Sequence, residues 1–377
     1  MIEICNKKDC TGCFSCFNTC PKNAIEMRED NVGNVYPVIN QEKCINCGLC
    51  KKKCPQINSV SFNEPITAYA MYNNDYHIRD KSTSGGAATT FYLKVLNEDG
   101  VVYGANNIEN GKFSFIRITK ASDLYKVKGS KYVHCYIEDK YSMAKKDLEK
   151  GLKVLFIGTP CQIAGLRAFL GKEYDNLLTV DLVCHGVPSQ KMLIEEIKMH
   201  ANYDKVSKIT FRENDFNLRI YENSKCVFSE NRTTNYYYSR FMSMMFFREN
   251  CYSCKYAQRK RISDITIGDF WCLNTENEKF RDKDKGISLV IPNTKRGVNF
   301  VESCIENMVY EERTIEEAIE GNEQLKHPST KNKLYNKFMR LYQDKGYEIA
   351  CKKTQSLKQK LKKIKIINKM YYKIKGR

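Results

Sequence analysis

Apolar residues of this chain recur at alternating helical and strand spacings along its central part. A helical pattern extends from Gly85 to Asn97, and Gly100 provides a stop signal. Apolar runs predict buried strands at 101–105, 154–157 and 177–183, and strict alternation predicts another at 113–119. Helices are predicted at 141–150, from 159 to 170 and at 189–200. Such alternation of strand and helix indicates an α/β core with some parallel pairing.

The same patterns predict a mixed fold class, α+β and α/β, in four regions. A small cysteine-rich module occupies 1–60 and is followed by a short linker. One α/β region is predicted at 65–145 and a second at 146–340, with more strand between 208 and 272 and mostly helix after 311. A basic helical tail is expected at 341–377.

Composition narrows the class of protein. The chain has 377 residues and is 42% hydrophobic, which is enough for a packed core beyond the small module. It contains no apolar run long enough to span a membrane. Its first residues show neither the apolar stretch nor the cleavage site of a signal peptide. These features predict a cytoplasmic protein whose thiols stay reduced.

The formal net charge of +18 is unevenly distributed. From Lys352 to Arg377 the chain carries 11 Lys or Arg and no Asp or Glu. Apolar residues recur there at three- and four-residue spacing, which predicts a basic amphipathic helix. This helix could lie on an anionic membrane surface, dock on an acidic partner, or pack against its own protein. No nucleic-acid-binding signature accompanies the charge, so no nucleic acid partner is expected.

Eight of the 18 cysteines form two copies of Cys-x2-Cys-x2-Cys-x3-Cys-Pro. This spacing is typical of bacterial two-cluster 4Fe–4S ferredoxins, in which the last cysteine of each run ligates the other cluster. Structural zinc favours ligands in two pairs, and disulfides need an oxidising compartment. The predicted ligand sets are Cys10, Cys13, Cys16 and Cys54 for one cluster, and Cys44, Cys47, Cys50 and Cys20 for the other.

Three glycine-containing turns are candidate sites for a phosphate-bearing cofactor. One opens a helix with Thr83, Ser84, Gly85 and Gly86, and a second places Lys131 in a tight turn. Taken alone, the first turn is better explained as an ordinary helix cap, and a solvated surface loop is the default interpretation of the second. The third follows a buried strand and begins a helix, where phosphate groups bind favourably; its candidate residues are Thr159, Pro160 and Gln162.

Cysteines in the second α/β region suggest a further metal site. Cys161 and Cys184 each follow a predicted buried strand, and Cys251-x2-Cys254 comes later in the chain. We hypothesise that these four ligate a third 4Fe–4S cluster. His185 is a candidate proton donor or a hydrogen-bonded structural histidine. The remaining cysteines show no site spacing, although one follows the Lys131 turn; they are Cys5, Cys135, Cys226, Cys272, Cys304 and Cys351.

The motifs, taken in order, resemble the coenzyme F420 hydrogenase/dehydrogenase beta-subunit family. The resemblance covers about residues 65–340, and a ferredoxin module in front is common in bacterial members. Members are iron–sulphur flavoproteins that bind FAD; some reduce coenzyme F420, plant relatives take electrons from ferredoxin, and some bacterial relatives occur among polysaccharide-synthesis genes. The strings that carry the resemblance are STSGGAATT, GVVYGA, GSKYVHC, VLFIGTPCQIAGLRAFLG, NLLTVDLVCHGVPS, CYSCKYA and SDITIGDFW.

The resemblance implies site residues and a function. It makes the glycine-turn candidates FAD contacts and the four later cysteines ligands of a further cluster. The implied function is an FAD-dependent oxidoreductase that passes electrons between 4Fe–4S clusters and a two-electron coenzyme or small-molecule substrate. A ferredoxin-like low-potential carrier would be its partner, and Lys131 would stabilise reduced flavin. The alternatives are an electron-transfer subunit of a larger complex and a non-enzymatic scaffold in polysaccharide biosynthesis.

Overall fold

The computed structural model describes residues 3–213, 215–282, 285–356 and 359–361. Its N-terminal module combines an antiparallel pair of strands, β1 (Ile25–Glu29) and β2 (Val35–Ile39), with two short helices. Helix α1 (Ser15–Thr19) begins within the first cysteine run, and α2 (Leu49–Lys52) begins within the second. The module therefore repeats one arrangement, a cysteine loop followed by a short helix.

Most other strands form one mixed sheet. The strands of this sheet are β3 (Ala68–Asn73), β4 (Val101–Glu109), β5 (Lys112–Ile118), β6 (Val154–Gly158), β7 (Leu177–Leu182), β11 (Ile265–Asp269), β12 (Ser288–Pro292) and β13 (Met308–Arg313). A separate antiparallel sheet contains β8 (Val206–Thr210), β9 (Asn217–Glu222) and β10 (Lys225–Asn231). Within the described residues the strand orders are β13-β3-β12-β11-β7-β6-β4-β5 and β10-β9-β8.

The large sheet has a parallel centre. Strands β4, β6, β7 and β11 pair in parallel. Strand β3 runs in the same direction, because it pairs antiparallel with β12, which itself pairs antiparallel with β11. The carboxyl ends of these five strands therefore meet at one edge of the sheet, the usual location of ligand sites in open α/β folds.

Helices cover both faces of the sheet. Beyond the N-terminal module the described helices include α3 (Tyr76–Asp80), α4 (Ala87–Leu96), α5 (Lys140–Glu149), α6 (Pro160–Leu170), α7 (Gln190–Lys198), α8 (Tyr236–Met242), α9 (Lys295–Glu302), α10 (Ile315–Glu320), α11 (Tyr335–Lys345) and α12 (Tyr347–Lys353). Successive strand residues point to opposite faces, so Leu155 joins the apolar cluster of α4 and α9, whereas Phe156 joins that of α5 and α6.

The predicted mixed fold is confirmed, with several adjustments of detail. Strand β4 continues four residues beyond the predicted 105, to Glu109, where a tight turn leads into β5. The sheet combines strands from both predicted α/β regions, so these regions share one core. The predicted tail begins inside α11, and 357–358 and 362–377 lie outside the described residues. Among those described, no helix combines the length and the apolar character needed to cross a membrane.

Candidate functional site

Four cysteines of the N-terminal module line an inner cavity. Cys10, Cys13 and Cys16 come from the first run, and Cys54 comes from the end of the second. All four are buried, and the cavity encloses about 330 Å³ including its mouth. The fold thus brings together the crossed set that the spacing predicts, and the donors suit a 4Fe–4S cluster. We call this group the inner cysteine set.

The other four cysteines line a second cavity nearer the surface, of about 390 Å³ including its mouth. Cys44, Cys47 and Cys50 lie there with Cys20, again in the crossed arrangement. Cys47 is exposed and the other three are half-buried. The backbone N–H of Ala24 donates a hydrogen bond of 3.2 Å to Cys20 Sγ. We call this group the outer cysteine set.

The spacing of the sulphur atoms argues against single zinc ions. Four thiolates around one zinc, each about 2.3 Å from it, lie about 3.8 Å apart. Three or more metal-ligating side chains come together with all donor atoms within 4.8 Å of one another at one place among the described residues. That group is Glu196, His200 and Glu230, and it contains no cysteine. No three sulphurs of either set therefore lie as close together as the ligands of a single zinc ion.

Cys5 also lines the inner cavity, which sequence spacing did not indicate. It packs against the apolar cluster that contains Cys16 and Cys54. Its thiol hydrogen bonds lower the pKa of Cys10 to about 6 and that of Cys54 to about 7. No motif could reveal this residue, because it stands outside the run and reaches the cavity only through the fold.

The four later cysteines come together at the carboxyl edge of the sheet. Cys161 begins α6, Cys184 follows β7, and Cys251 and Cys254 lie in the loop after α8. Burial first, and nearby Cys254 in addition, raise the pKa of Cys161 and of Cys184 to about 12. Burial and the nearby thiols of Cys184 and Cys254 likewise raise the pKa of Cys251. We call this group the third cysteine set.

A buried ion pair holds the loops of the third set together. Arg261 Nη2 lies 2.8 Å from Asp181 Oδ1, and the two side chains are 2% and 0% exposed. Asp181 belongs to β7, just before Cys184. The Arg261 guanidinium also donates to the backbone carbonyl of Tyr256, two residues after Cys254. The pair therefore links the end of a central strand to the loop that carries the Cys-x2-Cys motif.

The inner set and the third set meet helix α6 at positions little more than one turn apart. A Cβ placed on Gly165 would lie only 3.1 Å from Cys13 Sγ and 3.0 Å from Cys13 Cβ. Gly165 is four residues after Cys161, so both positions lie on one face of the helix, about 6 Å apart along its axis. The absence of a side chain at Gly165 is what allows the inner set to approach this closely.

The predicted cofactor residues Thr159, Pro160 and Gln162 form the start of α6. Thr159 and Gln162 make a capping box, and Pro160 is buried at the first helical position. Gln162 Nε2 donates to the carbonyl of Cys135 at 2.9 Å. Thr159 Oγ1 lies 3.3 Å from Cys161 Sγ. Each residue thus has a structural role, and its contact with a cofactor stays a prediction.

The predicted turn at 83–86 lies between β3 and α4 at the same sheet edge. A Cβ on Gly85 would meet the Met71 carbonyl at 2.2 Å, and Gly86 has a φ of 93°. Ser84 Oγ is buried and has no hydrogen-bond partner. Thr83 Oγ1 accepts a hydrogen bond of 3.4 Å from Ser130. The first two predicted cofactor turns are therefore adjacent.

Lys131 and His185 occupy different environments. The Lys131 ammonium donates to the carbonyls of Val127 and Lys128 at 2.7 and 2.8 Å, and burial lowers its pKa to about 7. His185 is exposed, and its backbone carbonyl accepts a hydrogen bond from Ser329. Contact of Lys131 with FAD and proton transfer by His185 both stay predictions.

Comparison with known proteins identifies the family. Two family models describe the two ends of the coenzyme F420 hydrogenase/dehydrogenase beta subunit. Residues 151–318 match the model for its carboxyl-terminal part, and 68–139 match the model for its amino-terminal part. Residues 9–57 match a 4Fe–4S dicluster domain. The chain belongs to the coenzyme F420 hydrogenase/dehydrogenase beta-subunit family and carries a 4Fe–4S dicluster domain in front, as the motifs predicted.

Two relatives from Methanocaldococcus jannaschii and one solved structure illustrate the similarity. A coenzyme F420-dependent sulfite reductase is 28% identical over 198 residues, which are 51% of this chain; the match spans only 30% of that enzyme. An uncharacterised protein is 24% identical over 371 residues, covering 87% of this chain and 96% of its own. A chain of the F420-reducing NiFe hydrogenase complex from Methanosarcina barkeri has a TM-score of 0.46 and 19% identity, covering 77% of this chain and 91% of its own. This chain is an iron–sulphur protein related to F420-dependent oxidoreductases.

Proposed function

We propose that this chain is an FAD-dependent iron–sulphur oxidoreductase that passes electrons between a low-potential carrier and a two-electron coenzyme or small-molecule substrate. One observation carries the proposal: three cysteine sets follow one another from the surface to the carboxyl edge of the sheet. Iron–sulphur clusters exchange single electrons, and a flavin exchanges one or two, so together they connect a carrier to two-electron chemistry.

The order of the sets supports a relay. The outer and inner sets share an apolar cluster, in which Cys16 and Cys54 pack against Cys20 and Cys50. The inner and third sets share one face of α6. We assign the outer set as the point of electron exchange at the surface, because it alone includes an exposed cysteine, Cys47, among the three sets.

Backbone donors in each set suit anionic ligands. The backbone N–H groups of Gln56 and Ile57 donate hydrogen bonds to the sulphur of Cys54. The thiol of Cys5 has the largest effect in lowering the pKa of Cys54, and these two amides lower it further. Hydrogen bonds to cluster sulphurs are one of the protein's means of setting a reduction potential. The proposed ligands are Cys10, Cys13, Cys16 and Cys54 in the inner set, Cys44, Cys47, Cys50 and Cys20 in the outer set, and Cys161, Cys184, Cys251 and Cys254 in the third set.

The position of FAD is proposed from the same sheet edge. Residues 127–136 form an irregular segment. Within it Ser130 contacts Thr83, and the carbonyl of Cys135 accepts a hydrogen bond from Gln162. It thus connects two of the candidate cofactor turns across the ends of the parallel strands. The unpartnered Ser84 hydroxyl is a donor that could bind an anionic group there, and Lys131 would add its third N–H when its amine is protonated.

The surface around the outer set fits an acidic electron carrier. Ile45 lines the outer cavity and is 57% exposed. Among the described residues, Lys22, Lys43, Lys51 and Lys52 lie on this module without an ion pair to a carboxylate. Unpaired lysines around an apolar tip favour a ferredoxin-like partner, and its association should weaken with salt.

Iron analysis of matched serine variants tests the proposal. Anaerobically purified parent protein should contain about twelve irons and one FAD per chain if all three sets hold 4Fe–4S clusters. Cys47→Ser and Cys254→Ser should each lose about four irons, whereas Cys226→Ser, at an exposed cysteine on β10, should lose none. Full iron in Cys254→Ser would remove the third cluster, and a parent protein that binds no FAD even after reconstitution would overturn the flavoprotein assignment.

A second candidate is an electron-transfer subunit whose partner performs the substrate chemistry. The observation that favours it is the match to only 30% of the sulfite reductase, so the shared part corresponds to a portion of a larger enzyme. Reduction of coenzyme F420 or another two-electron acceptor by the isolated chain would favour the first proposal. Electron transfer that occurs only after adding a partner enzyme would favour the second.

A further inference from the structure

Arg248 is a buried cation that connects the third set to the inner set. It lies three residues before Cys251, and its backbone N–H donates to the Val187 carbonyl in the loop after Cys184. Its side chain is 1% exposed and extends into the N-terminal module. There Nε donates to the Cys10 carbonyl at 2.7 Å, and Nη2 donates to the Val35 carbonyl at 2.9 Å.

The guanidinium is only partly satisfied. Nη1 is buried and has no hydrogen-bond partner. A Cβ placed on Gly12 would lie 3.2 Å from Nη1, so this end of the guanidinium lies against the loop between Cys10 and Cys13. The ring of Tyr36 lies 4.3 Å from the guanidinium carbon. A cation–π contact of this kind is favourable but supplies no negative charge.

Among the described residues, no carboxylate lies within 4.0 Å of Arg248 to balance its charge. Arg261, which is equally buried, has Asp181 as its partner. Arg240, also 1% exposed, donates to the Cys351 carbonyl near the carboxyl end of α12, where the helix dipole favours a cation. A buried charge without such compensation is costly, so Arg248 requires another source of negative charge.

The inner cysteine set is the negative group within reach. Arg248 Nε bonds directly to the backbone carbonyl of Cys10, and Nη1 lies against the loop between Cys10 and Cys13, so the guanidinium borders the segment that carries two of the four inner-set thiols. A 4Fe–4S cluster held by four thiolates carries net negative charge, and it gains one further negative charge when it is reduced. A fixed positive charge beside it therefore favours the reduced form.

We propose that Arg248 is the counter-charge of the inner 4Fe–4S cluster and raises its reduction potential. The inference rests on the proposed cluster ligation. The positive charge of Arg248 favours a transfer in which the outer cluster loses one electron and the inner cluster gains it, with no proton required. Arg248 is a positioning residue, since it acts on the cluster through charge and through the Cys10 loop.

The expected size of the effect follows from electrostatics. A unit charge about 10 Å away, at an effective dielectric constant of about 20, changes the ratio of reduced to oxidised cluster by at least about tenfold. For a one-electron couple, tenfold corresponds to about 59 mV. Removing the charge should therefore shift the potential of the inner cluster negative by at least that amount.

Three variants of the full-length protein test the inference. Arg248→Met removes the charge and keeps an unbranched side chain, whereas Arg248→Lys keeps the charge. Arg240→Met removes an equally buried arginine whose bonds go to α8 and α12. Anaerobic potentiometric titration followed by electron paramagnetic resonance measures each cluster, and the signal that Cys47→Ser loses identifies the outer cluster as an internal reference.

The expected result is a tenfold or larger fall in the reduced fraction of the inner cluster in Arg248→Met, with the outer cluster unchanged and with little shift in Arg248→Lys or Arg240→Met. Loss of inner-cluster iron in Arg248→Met but not in Arg248→Lys would equally support the counter-charge. Unchanged potentials, iron loss in both Arg248 variants, or equal effects in Arg240→Met would overturn it. A parent protein without iron would instead refute the proposed cluster ligation.

Discussion

The buried pair between Arg261 and Asp181 offers a sharp test of how the sheet edge is held. Arg261→Met removes the guanidinium and leaves a carboxylate that is 0% exposed. After this change Asp181 keeps the hydroxyl of Thr266 as a donor, at 2.7 Å to Oδ1, while Oδ2 already lacks a partner. The remaining charge is therefore buried and poorly compensated.

Breaking a buried ion pair by removing one partner costs about 3–5 kcal/mol, because the other charge stays buried. An exposed pair contributes about 0–1 kcal/mol. Arg259 and Glu316 form such a pair, 3.0 Å apart with side chains 51% and 71% exposed. Arg259→Met is consequently a matched control for a substitution of the same type only two positions away.

The assay is anaerobic unfolding in guanidinium chloride, followed by the fluorescence of Trp271, the only tryptophan in the sequence. With a slope of about 5 kcal/mol per M, Arg261→Met should lower the midpoint by about 0.6–1 M. Arg259→Met should shift it by about 0.2 M at most. The double variant Arg261→Met with Asp181→Leu should recover part of the loss, since no charge is left behind. A shift of Arg261→Met no larger than that of the control, or strict additivity in the double variant, would show that this buried pair does not hold the sheet edge.

Three further changes have defined outcomes. Cys5→Ser should keep full iron in a colorimetric assay, because Cys5 belongs to neither crossed ligand set; loss of about four irons would make it a ligand. Gly165→Val should lower the free energy of unfolding by about 1–3 kcal/mol in the same titration, because its side chain collides with Cys13; an unchanged value would contradict the close approach. The difference in free energy of unfolding between the parent protein and Lys131→Met should change in favour of the parent as the pH rises from about 7 to 10. In that range the folded state, with its lysine pKa near 7, has released a proton that the unfolded chain still binds; a pH-independent difference would place the amine in solvent.

Much of this molecule was predictable because its signals are local. Apolar runs of four to seven residues define the central strands, and glycine or proline marks their ends, so β6, β7 and the helices after them lie where periodicity placed them. The crossed cysteine sets were equally predictable. Three ligands separated from one another by two intervening residues can occupy one loop, and the fourth then has to come from the partner run.

What escaped prediction depends on contacts between distant parts of the chain. Arg248 contacts Cys10 across 238 residues, and no local pattern distinguishes it from a surface arginine. Cys5 reaches the inner cavity only through the fold, beside Ile4 in its lining. Gln162 shows the opposite case, since a motif interpreted as a cofactor contact also forms a capping box whose side-chain amide is bonded to Cys135. The same residue type suits a helix cap and a cofactor contact, and only the partners of its atoms distinguish the two roles.

The N-terminal module is fixed to the sheet domain by hydrogen bonds on several sides. Ser189 donates to the Val32 carbonyl at 2.6 Å, and Asn18 donates to the Glu138 carbonyl at 2.7 Å. Arg248 adds two more bonds from a third direction. A module held in this way is not a tethered carrier that swings between sites. Under the proposed relay, exchange with a mobile partner would fall to the outer set, and the direction of internal transfer would depend on the potentials of the clusters rather than on motion. On that proposal, a single buried charge beside the inner set would determine where an electron rests.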